Sequence, residues 1–400
     1  MSLQIARRIT RVKPSPTLAM TARAAQMRSE GKDVISLSVG EPDFDTPAHI
    51  CEAGIAAIRA GHTRYTNADG APDLKDAVIA KFQRDNGISY ARNQVLISTG
   101  AKQTLFNLCM AVLDPGDEVI IPAPYWVSYP DMVMLADAHP VTPDATADHG
   151  YKMTPRQLAA AITSETRLVM LNSPSNPTGA AYTRAELVAL GEVLLDHPKL
   201  LIATDDIYEK IYWGKEPFCS LLTAVPGLYE RTITINGCSK GYAMTGWRIG
   251  YCGGPREIIA AMATVQGQST TNASSISQKA AVAALNGPED EVQRMNASFK
   301  TRHDYFVAGL NQLPGISCLP GSGTFYAFAD VREAMKQHGF KDDNSFCEFI
   351  LAEALVAGVP GSGFGAPGHL RLSFACSEDN LAKALERMNT ALTRGPSKSV

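Results

Sequence analysis

No stretch of this 400-residue chain approaches the ~20 consecutive apolar residues that a membrane span requires. The first thirty residues hold no apolar run of signal-peptide length either. That pattern argues against a membrane protein and predicts a cytoplasmic one. Basic excess is also missing: 37 Lys and Arg stand against 40 Asp and Glu, a formal net charge of -3. A nucleic-acid or anionic-membrane partner is therefore not expected. The eight cysteines, at 51, 109, 219, 238, 252, 318, 347 and 376, form no CxxC pair. Their scatter argues against a zinc site or a disulfide frame, and predicts reduced thiols and no metal.

What the chain does have is apolar residues, 45% of the total, enough for a large core and too many for one compact unit. Short apolar runs read as buried strands: VLIS (95–98), EVIIP (118–122), RLVML (167–171), LLIAT (200–204), TITIN (232–236) and RIGYC (248–252). Helical patterns lie between them at Asp73–Asn86, Ala101–Leu113, Arg184–Leu195 and Arg256–Gln266. The alternation predicts an α/β unit with a mostly parallel sheet. After about residue 300 the texture changes. A long helix leads to FYAFADV (325–331), a helix near Ser345–Ala357, a strand HLRLSF (369–374) and a helix near Glu378–Thr393. That reads as a smaller α+β unit. The tail RGPSKSV is expected to fray.

Ligands in open α/β sheets sit beyond the carboxyl ends of the strands. The unusual residues gather there: Gly100 after VLIST, Asn176 after RLVMLN, Asp205 ending LLIAT, and Lys240 after TITIN. Lys240 stands among small and apolar residues, where an amine is pushed toward its neutral form and can form a Schiff base. Read alone, it is better taken as a surface loop lysine. Arg248 suits a bound phosphate or carboxylate, and equally a structural ion pair. Asp205 ends a buried strand and needs a facing cation. Asp206 reads better as a helix N-cap. Gly100-Ala101-Lys102 joins strand to helix, where backbone N–H groups can approach a phosphate. Trp126 can stack on a flat ring, although a lone tryptophan is more often core.

Together these segments resemble the class I aminotransferases of pyridoxal-phosphate fold type I. The telling stretches are SLSVGEPDFDTP (36–47), SPSNPTG (173–179), DDIYE (205–209) and SKGYAMTGWRIGY (239–251), with KPSPT (13–17) before them. The resemblance implies a large domain over 48–300, with a mostly parallel sheet flanked by helices. It implies a smaller α+β domain from 1–47 and 301–400. It assigns pyridoxal 5'-phosphate to Lys240, with Asp205 at the pyridine nitrogen and Tyr208 and Asn176 at the ring hydroxyl. Gly100, Ala101, Lys102, Ser239 and Arg248 would surround the cofactor's phosphate end, and Trp126 would stack on the ring. Tyr65 would reach the phosphate of a neighbouring subunit, which implies a homodimer. Arg371 would fork the substrate α-carboxylate, beside Gly40, Asn176 and Trp126.

Lys102, in GAKQ, and Thr17 match the branch that acts on aspartate and in some members prephenate. A lysine in the first turn of a helix is otherwise disfavoured. The resemblance thus implies ping-pong amino transfer from aspartate to 2-oxoglutarate. Gly237, Ser175, Asp206 and Pro16 depart from the commonest family patterns. A β-lyase of the same fold type would share Lys240, Asp205, Tyr208 and Arg371; Lys102 favours transamination of a dicarboxylate, and also argues against a narrow aromatic aminotransferase. A cofactor-sensing transcription regulator is disfavoured by the negative net charge.

Overall fold

The computed structural model describes residues 4–12, 14 and 16–396. Lys13 and Ser15 of KPSPT, and residues 397–400 of the tail expected to fray, lie outside the described residues.

In chain order the strands begin with β1 (Ile35–Ser36), β2 (Val95–Ser98), β3 (Glu118–Ile120), β4 (His139–Val141) and β5 (Thr166–Asn172). They continue with β6 (Leu201–Asp205), β7 (Thr232–Gly237), β8 (Gly250–Gly253), β9 (Ser317–Cys318) and β10 (Tyr326–Asp330). The last are β11 (Val356–Ala357), β12 (Val359–Pro360) and β13 (His369–Ser373). A seven-stranded sheet runs β2-β8-β7-β6-β5-β3-β4. A four-stranded antiparallel sheet runs β12-β13-β10-β9.

The larger sheet is buried in its middle: every residue of β2, β6, β7 and β8 is buried. Continuous apolar runs are what a sheet covered on both faces requires. One face packs Leu96, Leu168, Met170, Ile233 and Ile235 against the helices Ala101–Val112 and Arg256–Gly267. The other face feeds a larger cluster that continues, through Phe299, Phe306 and Phe325, to Leu370 and Leu372 of the smaller sheet. The helix Ala48–Arg59 packs against the alanine-rich helix Ser275–Asn286.

Two sequence expectations change in detail. RIGYC was expected as a strand from Arg248, but β8 starts at Gly250 and runs antiparallel to both neighbours. Arg248 itself takes a left-handed conformation (φ 57°) that cannot extend a strand. That reversal matters for the site. The amino end of β8 lies level with the carboxyl ends of β2 and β7, since Gly250 pairs with both Ser98 and Gly237. Arg248 therefore reaches the same edge as Asp205 and Lys240. The helix expected near Ser345–Ala357 spans Asp343–Phe349 and runs on as a π turn over Ile350–Ala354. Leu355 then turns left-handed (φ 54°), and Val356–Ala357 pair in parallel with Ile35–Ser36. This short pairing ties the amino-terminal segment to the smaller sheet's side of the molecule. All eight cysteines are unpaired.

Gly250 is needed where β8 meets the start of the helix Ala101–Val112. A Cβ there would collide with the backbone of Gly100 and Ala101. Gly250→Ala should destabilise the protein by about 1–3 kcal/mol through overpacking. A thermal-melting or denaturant midpoint equal to that of the unaltered protein would refute this packing.

Candidate active site

The carboxyl ends of β5, β6 and β7 open into a cavity of about 420 Å³. Lys240, Asp205, Tyr208, Asn176 and Ser239 line it from the large sheet, with Arg248 at its edge. Ala101, Lys102 and Trp126 form a second wall, Thr17 and Gly40 a third, and Arg371 a fourth. Gly100 stands directly behind Arg248. It has φ 86°, and a Cβ there would collide with the Arg248 guanidinium. Of the site residues named from sequence, two do not line the cavity within one chain: Gly100, which lies behind Arg248, and Tyr65, which is 90% exposed.

Lys240 follows β7 in a short turn, and its Nζ donates to the carbonyl of Gly40 at 2.5 Å. Burial first, then the positive charges of Arg371 and Arg248, lowers its pKa to about 8, against smaller opposing pulls from Glu41 and Asp205. Near neutral pH a useful fraction of this amine is uncharged, and therefore nucleophilic and basic.

Asp205 is buried at the end of β6. Its Oδ2 accepts from the Tyr129 hydroxyl at 2.7 Å, and its Oδ1 from the backbone N–H of Ile207 at 3.3 Å. Burial raises its pKa to about 6, with Tyr129, Ile207 and Lys240 pulling the other way. Asp206 is no helix cap. The chain turns at 206–210 and its next helical turn is Leu221–Ala224. Asp206 is instead buried, accepting from Thr204 Oγ1 at 2.6 Å, and burial raises it to about 7. Alternation decides the difference: side chains 205 and 206 leave a strand end on opposite faces.

Arg371 lies on β13, paired with Phe328 and Val359. It is 2% exposed. Nη1 donates to Asn176 Oδ1 at 3.2 Å and Nη2 to the carbonyl of Ser38 at 2.7 Å, while Nε has no partner among the described residues. The guanidinium sits over the rings of Tyr326 and Phe364, at 4.4 and 5.0 Å. No carboxylate of the described residues forms an ion pair with it. Burial lowers its pKa, though a guanidinium remains charged. Taking such a cation from water costs several kcal/mol unless an anion faces it. The cavity supplies the room for one.

Lys102 projects over the Trp126 ring at 4.9 Å. Burial lowers its pKa, the charge of Arg248 adds to that, and Asp131 opposes it. The helix Ala101–Val112 begins at Gly100 without a side-chain cap. Its first N–H groups are thus available to an anion, with Arg248 and Ser239 beside them.

The sequence reading missed Tyr129, Tyr326, Asn172 and Phe364. Tyr129 holds Asp205. The Tyr208 hydroxyl meets that of Tyr326 at 3.2 Å. Asn172 donates to the carbonyl of Asp205 at 2.7 Å and accepts from the N–H of Asn176 at 2.8 Å. A signal for Tyr129 existed: it lies three residues after Trp126, one helical turn along. Phe364 and the Ser38 carbonyl had none, because only folding brings them to Arg371.

Fold and cleft together define an α/β enzyme with two depressed amines, one buried carboxylate and a buried guanidinium that no carboxylate of the described residues answers. The model of the family Aminotransferase class I and II matches residues 32–388. The chain belongs to this aminotransferase family, and its fold is the α/β fold type I. An aspartate/prephenate aminotransferase of Nitrosomonas europaea is 50% identical over 397 residues, 98% of this chain and 100% of that protein. The crystal structure of an aspartate aminotransferase from Rhizobium meliloti superposes with a TM-score of 0.95 at 49% identity, covering 98% of this chain and 100% of that one. That of a Thermus thermophilus aspartate aminotransferase with maleate gives 0.92 at 42% identity, covering 97% and 100%.

The pKa of Asp205 yields a pH prediction. Its folded value, about 6, lies above the ordinary 3.8. The contribution of this group to stability is therefore greatest below pH 3.8, where it is protonated folded and unfolded alike, and is lost as pH rises through about 6. In cofactor-free protein, Asp205→Asn should be more stable than the unaltered chain above pH 6, by about 3 kcal/mol at most. The gap should close toward pH 4. Denaturant midpoints that differ equally at pH 4.5 and pH 8 would refute the assignment.

Proposed function

We propose that this enzyme transfers the amino group of L-aspartate to 2-oxoglutarate, giving oxaloacetate and L-glutamate, by a ping-pong mechanism on pyridoxal 5'-phosphate. The observation that carries it is the pairing, in one cavity, of a partly neutral amine with a buried guanidinium that no carboxylate of the described residues pairs with. The relatives' substrates and the maleate in the Thermus enzyme support a four-carbon dicarboxylate.

The cavity fits the cofactor. The uncapped helix start at Ala101, with Ser239 and Arg248, would hold its phosphate. Trp126 would cover the ring, Asn176 and Tyr208 would meet its hydroxyl, and Asp205 its nitrogen. Bound at Lys240, the cofactor supplies a carbonyl for the amine to trap and a ring that takes up electron density from the substrate.

The chain's own groups do the rest. Arg371 orients the α-carboxylate, with Asn176 and Gly40 beside it. Lys102, with Thr17 opposite, reads the distal carboxylate. Lys240, released as a neutral amine, takes the α-proton and returns it; general acid–base transfer of this kind is worth about 100- to 10,000-fold. Asp205, held as carboxylate by Tyr129, keeps a cation on the ring nitrogen favourable. Arg371, on the smaller sheet, and Lys102, at the start of the helix Ala101–Val112, both border the cavity, so a dicarboxylate bridging them would draw these elements together and exclude water. Prephenate also has two carboxylates and would use the same pair. In this reading residues 48–300 form the cofactor-binding domain, and 1–47 with 301–400 the smaller one. Two chains pair so that the exposed Tyr65 of each reaches the other's phosphate.

Three experiments test the reading. Lys240→Ala should lose the visible absorbance of bound cofactor and at least about 1,000-fold in turnover. Borohydride reduction of the loaded protein should label Lys240; a label elsewhere overturns the proposal. Lys102→Ala should lower kcat/KM for aspartate roughly 10- to 100-fold more than for alanine, the worth of a charged hydrogen bond. Equal losses would move dicarboxylate recognition to another residue.

A further inference from the structure

The turn that follows β6 has two faces. Asp205, Ile207 and Tyr208 border the cavity. Glu209 faces the other way, into the protein, where its side chain is 5% exposed and that of Lys81 1%. The two form an ion pair. Asn86 closes the group, accepting from Lys81 Nζ at 2.8 Å and donating to Glu209 Oε2 at 3.0 Å. The adjacent Lys210 pairs with Asp85 at 3.0 Å and with Glu289 at 2.5 Å. No residue of this group borders the cavity.

The local backbone is shaped for the contact. The helix Pro72–Lys81 leaves α geometry immediately after Lys81 and runs as a π turn over Phe82–Asn86. A π turn rotates the following residues relative to a regular helix, and such turns recur at functional sites. Asp85 and Asn86 lie within this turn, and both face residues of the 206–210 turn. Gly87 ends it left-handed (φ 67°), and Thr223 Oγ1 donates to the Asn86 carbonyl at 2.7 Å.

A buried ion pair is poorly explained by stability. Replacing both partners with apolar groups is often neutral or stabilising, whereas removing one partner is damaging. What a closed, directional triad does supply is orientation. The backbone bonds of the 206–210 turn are Asp206 N–H to Ile235, Glu209 N–H to Asp206 and Ile211 N–H to Tyr208. On the cleft side the turn is held by Ile207 N–H to Asp205 and by the Tyr208–Tyr326 hydroxyl contact, while Thr204 to Asp206, the Lys210 ion pairs and the triad hold it from within the protein. We propose that Lys81, Asn86 and Glu209 are positioning residues that fix this turn from behind and so aim Asp205 and Tyr208 into the cleft. The proposal rests on the reading of the cleft given above.

The test separates positioning from simple structural support. The triple variant Lys81→Met/Asn86→Leu/Glu209→Leu removes the triad's charges together; Asp85, which also meets Lys81 at 3.9 Å, keeps Arg84 and Lys210 as partners. It should melt within a few degrees of the unaltered protein. Its dissociation constant for pyridoxal 5'-phosphate should nevertheless rise about tenfold, since misplacement by an ångström is enough to disable a site. The pH midpoint of the bound cofactor's visible absorbance should also move. An unchanged midpoint and affinity in a folded triple variant would overturn the proposal. If the triple variant does not fold, Lys81→Met/Glu209→Gln retains an amide pair with Asn86. It should show a smaller loss of affinity, about threefold, and a shifted midpoint, and values equal to the unaltered protein's again overturn the proposal. Unaltered protein that binds no cofactor at all would sink the cleft reading and this proposal together; a normal unaltered protein beside a normal variant sinks the triad alone.

Discussion

Arg371 is a buried cation that no carboxylate of the described residues answers, and much of the site's order follows from that. Its guanidinium is held by the Ser38 carbonyl from the amino-terminal segment, Asn176 from the loop after β5, and the faces of Tyr326 and Phe364. Three distant parts of the chain are thereby brought to one point. The ring faces recover part of the lost hydration, since a cation over an aromatic face is attracted by its quadrupole. In the proposed function, a substrate carboxylate would meet the remaining deficit. The same positive field, with burial, is what depresses Lys240. One electrostatic arrangement thus both attracts a carboxylate and prepares an amine.

Asp205 is the counterweight. It is the buried carboxylate in the cavity wall, and its environment is balanced: burial favours the neutral acid, and Tyr129 and the Ile207 N–H favour the anion. A cation placed opposite would complete the shift. The sheet makes this geometry available because β8 runs against its neighbours. In an all-parallel sheet the residue preceding β8 would lie at the far edge, and Arg248 could not stand beside Gly100.

Much of the fold was legible in the sequence because its strands are continuous apolar runs and its major helices amphipathic. The short elements were not. β1, β11 and β12 have two residues each and exist only as partners of other segments. The helix expected to run to Ala357 ends early because Leu355 turns left-handed and a β-branched segment finds a strand to join. Asp206 was misread as a cap because its sequence neighbourhood looks like a helix start, and only the tertiary fold shows the turn that follows. For the site, Lys240, Asp205 and Arg371 were named from motifs. Tyr129 and Tyr326 were not, because an aromatic in an apolar stretch looks like core until a polar partner is placed against its hydroxyl.

The sequence by itself determined the family, the strand ends where the chemistry gathers, and the identities of the amine, carboxylate and guanidinium. These are local properties of residue type, order and spacing. Only the tertiary structure decided which side chains are deprived of water, which charges lie near enough to change one another's protonation, and which face of the 206–210 turn meets the cleft. Burial and electrostatic coupling depend on distances between segments far apart in the chain, and no pattern along the chain encodes those distances directly.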